Sequence, residues 1–472
     1  MPDETEQPNL LFLLPDQHRP DWVGANPDVP VRTPNVDQLI DRGVQFTNAV
    51  CPAPVCAPSR GCLATGMRYT RAPVQNNADD LPASATTYPQ RLRNESGYHV
   101  MGCGKFDLHK GSFSWGVDGS GRLEEWGFSD GVDNAGKWDG ILSLAWGDHP
   151  KRLDRDDLWE RAFQVGLSGE GEPTEPYTAY LEEEGLLIDH VSDYQRRSET
   201  NGHSTFPTKL PEEAYIDNWI ARRGLSLLAD SPEDRPWHLV INFAGPHEPY
   251  DVTEAMHELY RDPDVEFQGP VDDSGDGVND HQAVRRNYAS MIENIDAWVG
   301  RYLDVLEERG ELDDTVIVFS SDHGEMLGDH GHWGKGDPYQ PSVGVPLVIA
   351  GPGVDSRAPC EEPVSLIDLH DTFLDFAGAK TRRTDSRSLR PLLSGTDTEH
   401  REYVYSGLDD WRMIFDGRYK FVTHWTPDDD AASLDGVACA LFDLVQDPNE
   451  TTNVAEDRPG RSRELKTALE EI

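Results

Sequence analysis

Nowhere in the 472 residues does an apolar run approach the roughly 20 positions that a membrane-spanning helix needs, so no membrane partner is expected. The opening Met1-Pro2-Asp3-Glu4-Thr5-Glu6 is acidic where a secretory leader would be basic, which makes the cytoplasm the expected compartment. Cysteine is scarce too. The six, at 51, 56, 62, 103, 360 and 439, are too few for a disulfide scaffold, and none is spaced C-x-x-C. Positive charge is also in short supply: Lys and Arg number 42 against 86 Asp and Glu, a formal charge of −44. A phosphate backbone would be repelled by such a surface, so nucleic acid is excluded as a partner. Only 9 of the basic residues are Lys. An acidic surface that prefers Arg suits concentrated salt, where screening relieves self-repulsion, and the chain reads as halophilic.

What is present is the pattern of an α/β protein. The hydrophobic fraction of 37%, together with 42 glycines, is ordinary for a globular chain. Asn9 to Leu14 is a short, unbroken apolar run, read as a strand buried on both faces and leaving Asp16 at its tip. Thr33-Pro34 supplies a cap and a first-turn proline for a helix ended by Gly43. Strands are expected again at Tyr98 to Met101, Trp237 to Phe243, Thr315 to Phe319 and Val345 to Ala350, with a helix from Pro211 to Ala229. Apolar residues at spacings of three and four (Tyr288, Met291, Ile292, Ile295, Val299, Leu303, Leu306) predict a long helix over 280–309. Residues 106–200 lack a sustained period and read as surface loops with short helices. The fold expected is a central, mostly parallel sheet flanked by helices over 1–378. A smaller α+β subdomain follows over 379–472, with short strands between Asp-Gly-type turns and a terminal helix from about 461.

Four polar clusters follow predicted strands: Asp16-Gln17-His18, Lys105 with Asp107 and His109, His247, and Asp322-His323. In open α/β sheets the ligand crevice lies beyond the carboxyl ends of the strands, so these clusters should converge. Singly, an Asp after a strand is more often a cap or turn residue. Together the oxygens of Asp16, Gln17 and Asp322 with the imidazole of His323 suit a divalent ion such as Ca2+, Mg2+ or Mn2+ better than a thiolate zinc site. Cys56-Ala57-Pro58-Ser59-Arg60 places a cysteine at the mouth of a short helix with a cation one turn inside. Gly131 to Trp138 nearly spells a phosphate-binding loop, but the hydroxyl residue that would reach Mg2+ is Trp138. Asp329, His330 and His332 read as shaping the loop that carries Lys335.

Cys56-Ala57-Pro58-Ser59-Arg60 resembles the C-x-P-S-R signature of the type I sulfatases, members of the alkaline phosphatase superfamily. Further segments agree in order: the first strand into Asp16-Gln17, Thr33 to Leu39, Gly104-Lys105, Pro246 to Pro249, Ser321 to Gly331 with Lys335 behind it, and Leu441 to Asn453. The resemblance implies an alkaline-phosphatase-like fold and hydrolysis of a small-molecule or saccharide sulfate ester. It implies that Cys56 is oxidised by a formylglycine-generating enzyme and that the resulting formylglycine, hydrated, attacks sulfur. It also implies that Asp16, Gln17, Cys56, Asp322 and His323 hold a divalent metal, Ca2+ first. Arg60 and Lys105 would orient the nucleophile, while His247 and Lys335 would contact sulfate and help protonate the leaving alkoxide. Three positions depart from the pattern. Gln17 and His323 replace familiar oxygen ligands, which leaves Mn2+ or Mg2+ open and resembles the phosphonate and phosphodiester hydrolase branch. Asp107 stands where the family often has His, so either His109 takes over that role or the role is absent. A non-catalytic anion-binding relative is the alternative if Cys56 stays a thiol.

Overall fold

The first strand, β1 (Asn9–Asp16), has every side chain from Leu10 to Leu14 buried. Successive side chains on a strand point to opposite faces, so Leu10, Phe12 and Leu14 enter one core while Leu11 and Leu13 enter another. Each such burial stabilises the fold by about 1.5–3 kcal/mol, which favours placing the strand where both faces are covered. In chain order the next strands are β2 (Gly43–Gln45), β3 (Ala49–Val50), β4 (His99–Gly104), β5 (Asp130–Asp133), β6 (Trp237–Pro246), β7 (Thr315–Ser320), β8 (Leu347–Ala350) and β9 (Val364–Ser365). In this computed structural model, which describes residues 7–145, 155–262, 264–267, 278, 280–380, 382–427 and 430–472, they form a seven-stranded sheet in the order β2-β8-β7-β1-β6-β4-β5, and β3 pairs with β9. β8 alone runs against its neighbours. The carboxyl ends of β1, β4, β6 and β7 therefore lie along one edge, and the segment entering β8 arrives at that same edge.

The expected mostly parallel sheet is present, and the long helix spans His281–Arg309 with its apolar stripe buried. Three local readings need correction. Residues 106–200 contain the edge strand β5 and the substantial helices Arg155–Ser168 and Leu187–Ser198. Thr33 sits at the N-cap of the helix Pro34–Arg42, yet its hydroxyl donates to Asp37 (3.0 Å) instead of capping. The helix expected from Pro211 begins as a short 3-10 turn and becomes α-helical only at Ile216–Ala229. Gly131 to Trp138 forms β5 and a helix start, and Lys137 Nζ is buried 2.7 Å from Asp251 Oδ1, a structural pairing.

Beyond residue 400, β10 (Val404–Leu408), β11 (Trp411–Phe415), β12 (Tyr419–Thr423), β13 (Ala432–Leu434) and β14 (Val437–Asp443) build an antiparallel sheet in the order β10-β11-β12-β14-β13. Alternation again divides the faces. Met413, Phe415 and Val422 join the core beneath the large sheet, whereas Ile414, Phe421 and Leu441 pack with the terminal helix Pro459–Glu470. Among the described residues no helix is long and apolar enough to cross a membrane.

Candidate active site

β1 delivers Asp16 to the shared edge, where Gln17 turns the chain with a φ of +68°. From β4, Gly104 leads into Lys105; a Cβ at Gly104 would fall 1.9 Å from the Asn242 carbonyl oxygen, and its φ is +100°. Only glycine lets β4 lie that close to β6. Asp322 and His323 follow β7, and Cys56 opens the helix Cys56–Thr65, whose ten residues are all buried.

These parts meet. Ligand atoms of Asp16, Cys56, Asp322 and His323 all lie within 4.8 Å of one another. Around Cys56 Sγ stand Lys335 Nζ at 3.2 Å, His323 Nε2 at 3.3 Å and Lys105 Nζ at 3.5 Å. Burial and Asp16 push the Cys56 thiol up, but Lys105, Lys335 and His323 outweigh them and hold it well below the ordinary thiol range. Arg60 ties the two carboxylates together, with Nη2 3.1 Å from Asp16 Oδ2 and Nε 2.8 Å from Asp322 Oδ2. Against the cost of its burial, Asp16 is kept well below the usual carboxylate range by Lys105, His247, Arg60 and Lys335.

The donor set fits a divalent ion. It offers two carboxylates and an imidazole, and His323 Nδ1 is 2.9 Å from the Gly324 carbonyl, a bond that fixes the ring and leaves Nε2 as the ligand nitrogen. Gln17 stands beside this set with its side-chain carbonyl accepting from Lys335 Nζ and its amide donating to Glu248 and Glu325. His247 Nδ1 lies 2.5 Å from the Glu248 carbonyl, which leaves Nε2 for proton exchange. A cavity of about 630 Å3, lined among others by Arg68, Arg71, Tyr405 and Arg412, contains none of these residues.

A profile of the sulfatase family matches residues 8–379, and one for the C-terminal part of N-sulphoglucosamine sulphohydrolase matches residues 328–472. The chain belongs to the sulfatase family. It is 26% identical to an arylsulfatase of Clostridium perfringens over 97% of this chain and 92% of that one. A choline-sulfatase of Rhizobium meliloti is 29% identical, with 97% of this chain and 84% of that protein covered. Among solved structures, the phosphonate monoester hydrolase of Agrobacterium radiobacter superposes with a TM-score of 0.70 at 25% identity, covering 98% of this chain and 95% of that one.

One residue singled out in the sequence is absent from the sulfatase cluster. His109 is buried between Trp115 and Trp126, where the backbone N–H of Ser114 donates to Nδ1 (3.3 Å) and Nε2 meets Asp133 Oδ2 at 2.6 Å. Both ring nitrogens are thus committed away from Cys56. His109→Ala is expected to cost about 1–3 kcal/mol of stability by leaving Asp133 buried and unpaired. Its kcat/KM should stay within about twofold of the parent, and a loss beyond about tenfold in ester assays would return His109 to the chemistry. Asp329 pairs with Arg19 and Arg285 (both 2.7 Å), and His330 stacks on Tyr339, so this loop is built by structural contacts.

Other participants escaped the sequence reading. Asn242 Oδ1 accepts from Arg60 Nη1 at 3.0 Å; its signal was one amide directly after the apolar stretch Leu239 to Ile241. The Tyr288 hydroxyl donates to the Gln17 carbonyl at 2.6 Å, although the residue counted only as part of an apolar stripe. Glu325 accepts from the backbone N–H groups of Leu327 and Gly334, at 3.0 and 2.6 Å, and so shapes the loop before Lys335. Past Lys335, the loop is clamped by the C-terminal sheet: Trp411 Nε1 donates to the Gly336 carbonyl (3.1 Å) and Lys420 Nζ to that of Pro338 (2.6 Å).

Proposed function

We propose that this chain hydrolyses a sulfate ester at position 56. The observation that carries the reading is the placement of Cys56 Sγ among Lys335 Nζ (3.2 Å), His323 Nε2 (3.3 Å) and Lys105 Nζ (3.5 Å), inside a carboxylate and imidazole donor set. Sγ stands for the attacking oxygen of a converted residue. When present, a divalent ion held by Asp16, Asp322, His323 and position 56 would polarise the ester, and formylglycine at 56 would supply the attacking hydroxyl. Lys105 and Lys335 orient that group and offset the negative charge that builds on the sulfate oxygens. Arg60 contributes indirectly by holding the two carboxylates. His247 is the general acid, passing a proton from Nε2 to the departing alkoxide while Glu248 fixes Nδ1.

A second reading is phosphonate monoester hydrolysis. The combination of Gln17 and His323, and the 25% identity to the Agrobacterium radiobacter enzyme, favour it. Parallel assays of an aryl sulfate and a phenyl phosphonate decide between the two by kcat/KM. They should use protein in which mass spectrometry finds an aldehyde at position 56. A sulfate preference is expected. A thiol at that position in soluble protein from a host with the converting enzyme would leave only the anion-binding reading.

A further inference from the structure

We propose that Asp107 is a charge filter, favouring esters that carry one negative charge over those that carry two; the inference rests on the ester-binding reading above. Asp107 is 1% exposed, and its φ of +53° puts it in a region that non-glycine residues seldom occupy. Its Oδ2 lies 3.3 Å from Lys105 Nζ and 3.4 Å from Lys110 Nζ, and Lys110 Nζ is also 2.8 Å from Asp139 Oδ2. Asp107 Oδ1 is buried with no hydrogen-bond partner. A fixed anion thus stands one lysine away from the reacting atom, for Lys105 Nζ is itself 3.5 Å from Cys56 Sγ.

The consequence follows from Coulomb's law. Arg60, Lys105, Lys335 and a bound divalent ion attract an anion in proportion to its charge, so alone they would favour a phosphate monoester dianion over a sulfate or phosphonate monoester. Asp107 repels in the same proportion and trims that preference. Asp107 is buried, so its charge is screened less than it would be at a surface. Removing one such charge should raise affinity by some factor for a monoanion and by roughly the square of that factor for a dianion, at least about fivefold and about 25-fold for a separation of several ångströms.

The test is titration calorimetry on the purified Cys56 form with Ca2+, which needs no turnover. Phenyl sulfate is the monoanion probe, and phenyl phosphate at pH 8, above its second pKa of about 6, is the dianion probe. Asp107→Asn should tighten phenyl phosphate at least about fivefold more than phenyl sulfate, whereas Asp107→Glu, which keeps the charge, should retain the wild-type ratio. A general loss of order in either variant would weaken both ligands together and leave their ratio unmoved. An unchanged ratio in an Asp107→Asn variant that still binds phenyl sulfate at least as tightly as the parent, or an equal shift in Asp107→Glu, overturns the filter while leaving the ester site standing. If the wild-type chain bound neither ester, the ester-binding reading would fail and the filter with it.

Discussion

Cys56→Ala is expected to lower kcat for an aryl sulfate by about 10⁴ or more, because no other side chain in the cluster can replace the attacking group. The fold should survive. With Sγ gone, Lys335 Nζ still donates to Gln17 and Lys105 Nζ still sits 2.6 Å from Asp16 Oδ2, so neither ammonium is left buried alone. The melting temperature should therefore move by only a few degrees. Cys62→Ala is the internal control. Its thiol is pushed up by burial and the distant charge of Asp385, lies among Ala53, Tyr69 and Ala72, and touches no member of the cluster. Hydrolysis persisting in Cys56→Ala, or lost in Cys62→Ala, would refute the nucleophile assignment.

Arg60→Ala should have the largest effect on stability. The guanidinium is buried between Asp16 and Asp322, both fully buried, and its Nη1 also donates to Asn242. Removing one partner of a buried pair costs about 3–5 kcal/mol, since the remaining charge has nothing to offset it. Here two carboxylates lose their shared cation. A divalent ion binds the same carboxylates, so it should restore part of the loss, about 2.7 kcal/mol at a hundredfold excess over Kd. Thermal denaturation in EDTA and in excess Ca2+ measures both effects. Equal stability of variant and parent in EDTA would show that the carboxylates do not depend on Arg60. A melting temperature indifferent to Ca2+ would count against the donor set as a cation site.

Much of this architecture is readable from residue order. The run Leu10 to Leu14 has one explanation in an α/β protein, and the polar residues just past each strand announce the edge where a site must form. What escapes reading has physical causes. β5, Asp130-Gly131-Val132-Asp133, contributes a single apolar side chain because it lies at the sheet's rim and pairs on one side only, so its hydrogen bonds, not its side chains, define it. The helix Leu187–Ser198 buries Leu187, His190, Val191, Asp193, Tyr194 and Arg197, but four of the six are polar or amphipathic and dilute the pattern. His109 was misplaced for a related reason: spacing along the chain cannot tell which way a side chain faces when the preceding residues, with Asp107 at a φ of +53°, turn sharply. Lys335 was legible only by resemblance, because its position depends on β8 running backwards to the shared edge.

The grip of Trp411 and Lys420 on the segment after Lys335 bears on timing during synthesis. A ribosome has finished the first seven-eighths of the polypeptide before the residues that fasten this segment emerge. Until they do, the segment after Lys335 lacks the C-terminal clamp that holds it in the finished molecule, and only the contacts of Lys335 with Gln17 and of Gly334 with Glu325 are there to place the second lysine beside Cys56.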